Sequence, residues 1–177
     1  RLAGQKGFDL LVKSLDEILK RDLYLIILGT GEKHIQDMLI EAAKKYPEKF
    51  GLKIAFDDRL ARLIYAGSDF FLIPSRYEPC GLTQMYSLRY GTIPIVRSTG
   101  GLKDSIQEFD PERLEGNGFL FQEYETGALL AALDRAISFY QHQPFWSRLK
   151  DNAFRSDFSW EKSASNYHEL YRKILCF

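Results

Sequence analysis

Residues 69–91 read DFFLIPSRYEPCGLTQMYSLRYG, and this stretch combines one strand, one turn and one helix. Four consecutive apolar residues near its start are typical of a short strand that a parallel sheet buries on both faces. Good helix formers fill residues 82–90, and Gly91 ends that run. Glu78 therefore follows the carboxyl end of a strand and precedes a helix, which is where open α/β sheets bind their ligands.

Strand-like and helix-like segments alternate along the rest of the chain. We predict strands at residues 23–28, 52–56, 69–73, 93–96 and 118–121. We predict helices at residues 8–20, 34–46, 58–66, 82–90, 103–107, 125–140, 144–154 and 160–175. Alternation with short glycine turns implies right-handed crossovers between parallel strands. The predicted fold class is therefore α/β, a Rossmann-like doubly wound parallel sheet with helices on both faces.

Length and composition indicate one soluble domain. The 177 residues are 45% hydrophobic and 27% charged, which is enough for one well-buried domain and short for two. Lys plus Arg and Asp plus Glu both number 24, so no net field attracts nucleic acid or an anionic membrane. No apolar run approaches the about 20 residues of a membrane span, and the first residues lack a signal-peptide pattern. Cys80 and Cys176 lie in dissimilar settings and predict no disulfide framework, so we expect a cytoplasmic protein, or a plastid protein if the source is a plant.

Two cations lie close to a predicted helix start at the beginning of the chain. Arg1 and Lys6 flank a turn containing Gly4 and Gly7, just before the helix that begins near Phe8. Phosphate is the natural ligand of such a corner, because cations and free backbone amides converge there. The alternative is that Arg1 belongs to a frayed terminus and that Lys6 is a solvated loop cation.

Glu78 is the candidate for binding a sugar. Pro79 restricts the preceding residue to an extended conformation, so the Glu78 carboxylate has a defined direction. Such a carboxylate suits sugar hydroxyls or a cationic transition state, and the alternative is an exposed loop acid. The sequence contains no Asp-x-Asp pair, the common way of carrying a divalent metal on a diphosphate. We therefore expect no metal, and charge neutralisation by Arg, Lys and helix dipoles.

Two glycine pairs follow predicted strands. Gly29 and Gly31 lack the full dinucleotide fingerprint, because His34 occupies the third glycine position, and a structural turn is the better interpretation. Residues 98–102, STGGL, would let the backbone approach a ligand or another domain. A tight strand-to-helix turn explains this second pair almost as well.

Four motifs together resemble the C-terminal domain of bacterial glycogen synthases and plant starch synthases. They are RLxxQKG at residues 1–7, EPCGLTQ at 78–84, TGGL at 99–102 and FSW at 158–160, and the similarity spans essentially the whole chain. The resemblance implies a retaining GT-B glycosyltransferase, built from two Rossmann-like domains, that moves glucose from ADP-glucose to the non-reducing end of an α-1,4-glucan. Residues 1–177 would form a single domain that binds the donor nucleotide sugar, the C-terminal half of the GT-B fold.

The resemblance also implies roles for individual residues. Arg1 and Lys6 would hold the diphosphate, Glu78 would orient the glucose, and these three form the implied catalytic set. The remaining implied substrate-binding residues are Phe56, Cys80, Gly81, Leu82 and Thr83. Of these, Phe56 would place its ring against adenine, although by position alone it could instead close the core. The others would present backbone groups, with the amides at Leu82 and Thr83 directed to the diphosphate.

By the same resemblance, other parts of the enzyme lie outside this chain. We expect a preceding acceptor domain, which would bind the α-glucan, and a first strand before Arg1. We expect no cofactor besides the donor substrate. On its own the chain would bind nucleotide weakly and have no synthase activity. The helix at residues 160–175 could pack on the acceptor domain, which would leave its apolar face exposed here.

Three other functions remain open. A non-catalytic module that binds a nucleotide sugar or a glucan is compatible with the fold, although Arg1, Lys6 and Glu78 count against it. A dehydrogenase-type domain is disfavoured by the incomplete glycine fingerprint and the lack of a clear acidic ribose ligand. A sucrose- or trehalose-type retaining glycosyltransferase is disfavoured by the amino acids at residues 79–84, PCGLTQ. The sequence does not decide between ADP-glucose and UDP-glucose, between glycogen and starch, or between oligomeric states.

Overall fold

The computed structural model describes residues 1–175, and its elements follow the predicted alternation. The strands are β1 (Leu25–Gly29), β2 (Phe50–Ile54), β3 (Phe70–Ile73), β4 (Ile93–Arg97) and β5 (Phe119–Phe121). The helices are α1 (Phe8–Leu19), α2 (Lys33–Lys45), α3 (Asp58–Gly67), α4 (Thr83–Arg89), α5 (Gly100–Ser105), α6 (Thr126–Tyr140), α7 (Gln143–Arg155) and α8 (Trp160–Leu175). A 3₁₀ turn at Gly4–Lys6 precedes α1. All predicted strands and helices are present; the largest shift is in α5, which begins at Gly100 rather than at residue 103.

All described strand pairs are parallel, which confirms the α/β class. β1 pairs with β2, and β4 lies between β3 and β5. Within residues 1–175 the strands thus form a two-stranded and a three-stranded group, where we predicted one continuous sheet. The strands form two groups because β1 and β3 are not hydrogen-bonded to each other. Which strands pair depends on long-range contacts, and the periodicity of the sequence does not encode them.

The segment at residues 2–5 connects the two groups of strands at their carboxyl ends. The Leu2 N–H donates to the Thr30 carbonyl at 3.0 Å, and the Leu2 carbonyl accepts from the Glu32 N–H at 2.8 Å, directly after β1. The Gln5 carbonyl accepts from the Arg76 N–H at 2.9 Å, just after β3. The carboxyl ends of both groups therefore lie along one edge of the molecule, next to the 3₁₀ turn.

The core lies between the strands and the flanking helices. β4 is buried along most of its length, as expected for a central parallel strand covered on both faces. Phe119 of β5 is fully buried and stacks with Phe139 of α6 at 5.9 Å between ring centroids. α1 contributes one apolar face at helical spacing: Leu10, Leu11, Leu15, Ile18 and Leu19. This packing holds the start of α1 and the carboxyl ends of the strands in fixed relative positions.

α8 differs from the other long helices, because none of its described residues is buried. Its exposed large apolar side chains are Trp160, Tyr167, Leu170, Tyr171, Ile174 and Leu175. The exposed apolar face that the sequence predicted is therefore present. Among residues 1–175, no helix has both the length and the apolar character needed to cross a membrane. Cys80 is a surface thiol in this part of the chain, whereas Cys176 lies outside the described residues.

Candidate active site

The Glu78 carboxylate lies beside Lys6 at the carboxyl end of β3. Glu78 is only 6% exposed, and its Oε2 accepts hydrogen bonds from Lys6 Nζ at 2.5 Å and from Ser75 Oγ at 3.2 Å. Lys6 reaches it from the 3₁₀ turn before α1. The alternatives of an exposed loop acid and a solvated loop cation are therefore wrong, because these two residues form one ion pair.

Burial makes this pair different from the surface ion pairs of the chain. Removing a carboxylate from water is costly unless a cation and hydrogen-bond donors replace the lost hydration. Lys6 and Ser75 supply both to Glu78. The Lys6 side chain is 32% exposed, so its ammonium faces the buried carboxylate on one side and solvent on the other. An ammonium with three N–H donors can serve both sides.

The loop that carries Glu78 packs against the start of α5. The Gly101 N–H donates to the Glu78 carbonyl at 3.0 Å. A Cβ added to Gly101 would lie 2.1 Å from the Cys80 carbonyl oxygen, and one added to Gly100 would lie 2.1 Å from the Glu78 carbonyl oxygen. The glycine pair of the STGGL motif therefore permits two backbone segments of the same chain to come into contact, and it opens α5 rather than preceding it.

An open cleft of about 400 Å³ lies at the corner where the chain passes β1. The residues that line it are Arg1, Leu2, Ala3, Gln5, Gly31 and Glu32. The Arg1 guanidinium donates to Gln5 Oε1 at 3.1 Å, and the Gln5 amide donates to the Tyr77 carbonyl at 3.3 Å. Gln5 thus links the cleft to the residue before Glu78. Gly31 serves the structural role expected of it, because a Cβ there would lie 2.1 Å from the Leu2 carbonyl oxygen.

Phe56 lies two residues beyond β2 and is 91% exposed. It does not close the core, which excludes that interpretation of its ring. Because β2 is parallel to β1, Phe56 extends from the same carboxyl edge that residues 2–5 join to β3. Near Glu78, Cys80 and Leu82 are exposed, Gly81 is partly buried and Thr83 begins α4. The roles that the resemblance implies for these residues remain predictions.

Sequence reasoning missed a cluster that holds the segment before Glu78. Arg76 donates to Asp9 Oδ2 at 2.6 Å and lies over the Tyr124 ring, with 4.2 Å to its centroid. Tyr124 donates its hydroxyl to Asp9 Oδ1, and Arg97 donates to the Arg76 carbonyl at 2.7 Å. Arg76, Arg97 and Tyr124 all lie at or just past the carboxyl ends of strands. That position, which already singled out Glu78, is a signal that could have identified them.

The cluster shifts the pKa values of three of its members, and the hydrogen bond to Asp9 raises the pKa of Arg76. Burial disfavours the charged form of Asp9, but the hydrogen bonds from Tyr124 and Arg76 outweigh it, so the pKa of Asp9 lies below its ordinary value. Burial, together with the hydrogen bond to Asp9, raises the pKa of Tyr124 to about 12. At neutral pH the pair therefore consists of an ionised carboxylate and a neutral phenol.

We expect Asp9→Asn to lower the free energy of unfolding by about 1–2 kcal/mol at neutral pH, because Asp9 accepts two hydrogen bonds while ionised. A carboxyl whose folded-state pKa is lowered stabilises the fold above its unfolded pKa, and that stability is lost as the pH falls through the folded value. The difference from the parent should therefore begin to shrink near pH 3.8, the ordinary value for Asp, and disappear only below the lower pKa of folded Asp9. Urea denaturation of the parent and Asp9→Asn between neutral and acid pH measures the difference in unfolding free energy. Asp22→Asn is the control, because Asp22 is exposed. A difference that does not depend on pH would contradict the ionised role of Asp9.

Comparisons with known proteins identify the family. The family described as glycosyl transferases group 1 matches residues 1–155. A glycogen synthase from Kosmotoga olearia is 51% identical over 175 residues, which are 99% of this chain and 37% of that protein. A glycogen synthase from Thermotoga maritima is 48% identical over 176 residues, 99% of this chain and 36% of that protein. The chain thus spans little more than a third of the length of these curated relatives.

Solved structures agree with the sequence comparison. The catalytic domain of starch synthase IV from Arabidopsis thaliana, bound to ADP and acarbose, has a TM-score of 0.87 and 38% identity, covering 98% of this chain and 36% of that one. Sucrose-phosphate synthase from Thermosynechococcus elongatus shares the fold at a TM-score of 0.70 and 21% identity, covering 98% of this chain and 43% of that one. These findings confirm the resemblance to glycogen and starch synthases. The chain belongs to the group 1 glycosyl transferases, and its α/β architecture of parallel strands and helices matches the structures of GT-B enzymes.

Proposed function

We propose that the chain is the donor-binding half of a glycogen or starch synthase, which transfers glucose from ADP-glucose to the non-reducing end of an α-1,4-glucan with retention. The observation that carries this proposal is the pairing of Lys6 with the buried carboxylate of Glu78, at the edge where the strands end. It juxtaposes a cation for phosphate and a carboxylate for sugar. The similarity to glycogen synthases and the ADP in the starch synthase IV structure support the choice of donor.

The hydrogen bonds of the Lys6–Glu78 pair indicate which part of the donor each residue could bind. In the described residues, both hydrogen bonds to the Glu78 carboxylate end on Oε2, so Oε1 can accept from a glucose hydroxyl. One N–H of Lys6 is used by Glu78, and the others can donate to the diphosphate, together with the Arg1 guanidinium. As the diphosphate leaves, its growing charge would be stabilised by these cations and the positive sugar by Glu78.

The backbone of the loop after Glu78 would complete the site. Cys80, Gly81 and Leu82 would present backbone groups to the glucose hydroxyls, and the Leu82 and Thr83 amides would add donors for the diphosphate. We propose that no divalent metal and no cofactor takes part, because Arg1, Lys6 and backbone dipoles supply the positive charge.

The rest of the activity would need parts beyond this chain. We propose that an acceptor domain holds the α-glucan and that α8 packs its exposed apolar face against that domain. Residues 1–177 alone would bind nucleotide weakly and would not synthesise glucan. The enzyme would act in the cytoplasm, or in a plastid if its source is a plant.

Phe56→Ala tests whether Phe56 binds the adenine base of the donor. If the exposed ring stacks on adenine, its removal should lower the affinity of the chain for ADP about tenfold, since stacking of a base on an aromatic ring contributes about 1–3 kcal/mol. Stability should be unchanged, because the ring is exposed. Calorimetric titration with ADP measures the effect.

Tyr24→Ala is the matched control for this experiment. Tyr24 is 79% exposed but precedes β1, at the opposite end of the strands from Phe56. The Tyr24→Ala variant should bind ADP with the same affinity as the parent. Equal ADP affinity in the parent and Phe56→Ala would contradict adenine stacking at this position.

A further inference from the structure

Gln84 anchors the loop that carries Glu78 from inside the protein. It lies in the first turn of α4 and is fully buried. Its Nε2 lies 3.1 Å from each of three acceptors, the Cys80 carbonyl, the Gly81 carbonyl and Ser105 Oγ. Ser105 in turn donates to the Gly101 carbonyl at 2.6 Å. One amide group therefore joins the turn after Glu78 to α5.

The other atom of the same amide has no hydrogen-bond partner among residues 1–175. Gln84 Oε1 is buried and unpaired, which costs about 1–3 kcal/mol compared with a satisfied acceptor. It lies 2.5 Å from the position that a Cβ of Gly81 would occupy, and Gly81 has φ +73°. The arrangement therefore requires glycine at Gly81 and leaves one polar atom unsatisfied.

The orientation of this amide follows from its neighbours. Exchanging the oxygen and nitrogen would place the Gln84 oxygen against the Cys80 and Gly81 carbonyl oxygens, which is repulsive. The observed orientation satisfies those two carbonyls at the expense of Oε1. The hydrogen bonds to the two carbonyls are therefore the contacts that fix the orientation of this amide.

We propose that Gln84 is a positioning residue for the donor sugar. Its NH2 group sets the direction of the Cys80–Gly81 turn, whose backbone would face the glucose hydroxyls. This inference rests on the proposed function, because it assumes that this turn contacts the sugar. Gln84 itself touches no substrate. The nucleotide would be held mainly by Arg1, Lys6 and Phe56, with the Leu82 and Thr83 amides as additional donors, so loss of Gln84 should weaken the binding of ADP-glucose much more than that of ADP.

The isosteric variant Gln84→Glu tests the donor function directly. While ionised, its carboxylate would oppose the two carbonyl oxygens and have no hydrogen to donate, and burial beside those oxygens raises the pKa of such a carboxyl. As the pH falls, a larger fraction of the carboxyl is protonated, and its hydroxyl can donate to one carbonyl again. Gln84→Leu removes the same donor without this possibility. Exposed Gln141→Glu, at the end of α6, is the matched control.

The experiment is calorimetric titration of this chain and its variants with ADP and with ADP-glucose. At about pH 9 we expect both Gln84 variants to lose at least about tenfold in affinity for ADP-glucose and to stay within about twofold of the parent for ADP. Gln84→Glu should regain affinity for ADP-glucose at about pH 6, relative to the parent at the same pH, whereas Gln84→Leu should not. If the Gln84 variants do not fold, Ser105→Ala removes a single link and should show a smaller loss that is again greater for ADP-glucose than for ADP.

Two results would overturn the positioning role while leaving the proposed function intact. One is an unchanged affinity for both ligands in folded Gln84 variants. The other is a parallel loss for ADP and ADP-glucose, which indicates general damage to the domain. Failure of the folded parent to bind either ligand would instead overturn the proposed function, and this inference with it.

Discussion

Replacing Lys6 with alanine is expected to lower the free energy of unfolding by about 2–3 kcal/mol. The change leaves the Glu78 carboxylate, whose side chain is 8% exposed, with only the Ser75 hydroxyl as a partner. Breaking a fully buried pair costs about 3–5 kcal/mol. The expected loss is smaller here, because the Lys6 side chain is 32% exposed. Urea denaturation at neutral pH measures the difference.

Two further variants show whether the effect comes from a buried charge. Lys20→Ala removes the lysine of an exposed Lys–Glu pair at 2.6 Å and should change stability by less than about 0.5 kcal/mol. Adding Glu78→Gln to Lys6→Ala should recover much of the loss, because no unpaired charge then remains buried. If Lys6→Ala is as harmless as Lys20→Ala, the buried ion pair at the centre of the site is wrong.

Gly101→Ala should destabilise the protein by about 3 kcal/mol, among the largest effects expected of a single methyl group. The new Cβ would lie 2.1 Å from the Cys80 carbonyl oxygen and 2.6 Å from its carbonyl carbon. These are backbone atoms, so the contact cannot be relieved by a rotamer change, and the loop at residues 78–81 must move away from α5. Thermal and urea unfolding both report the loss.

Gly127→Ala is the matched control, because a Cβ there meets no atom within 4 Å. It lies in the first turn of α6, where alanine has the higher helix propensity, so stability should be equal or slightly greater. Equal stabilities for the Gly101 and Gly127 variants would contradict the close approach of α5 to the loop that carries Glu78.

The strands and helices could be predicted from the sequence because their signals are local. Continuous apolar runs such as that in β4 and the helical spacing of apolar residues in α1 are visible in short windows. The division of the strands into two groups could not be predicted, because the pairing of β1 with β2 and the absence of a bond between β1 and β3 are set by long-range packing.

The sequence singled out Glu78 and Lys6 as candidate site residues but did not indicate how they are arranged. Glu78 and Lys6 were each identified from position, yet they are 72 residues apart, and nothing local indicates that they form an ion pair. Asp9 and Tyr124, which the sequence did not single out, are separated by 115 residues, and nothing local indicates their hydrogen bond. The STGGL motif predicted a close approach of backbone, but only the structure shows that the neighbour is the Glu78 loop.

The most direct test of the account is calorimetric titration of this chain with ADP, UDP and NAD, repeated with Lys6→Ala at a temperature where both proteins are folded. We predict that the parent binds ADP more tightly than UDP or NAD, and that Lys6→Ala weakens ADP binding. Tighter binding of NAD, or no binding of any nucleotide by the folded parent, would contradict a donor-nucleotide site at the Lys6–Glu78 pair.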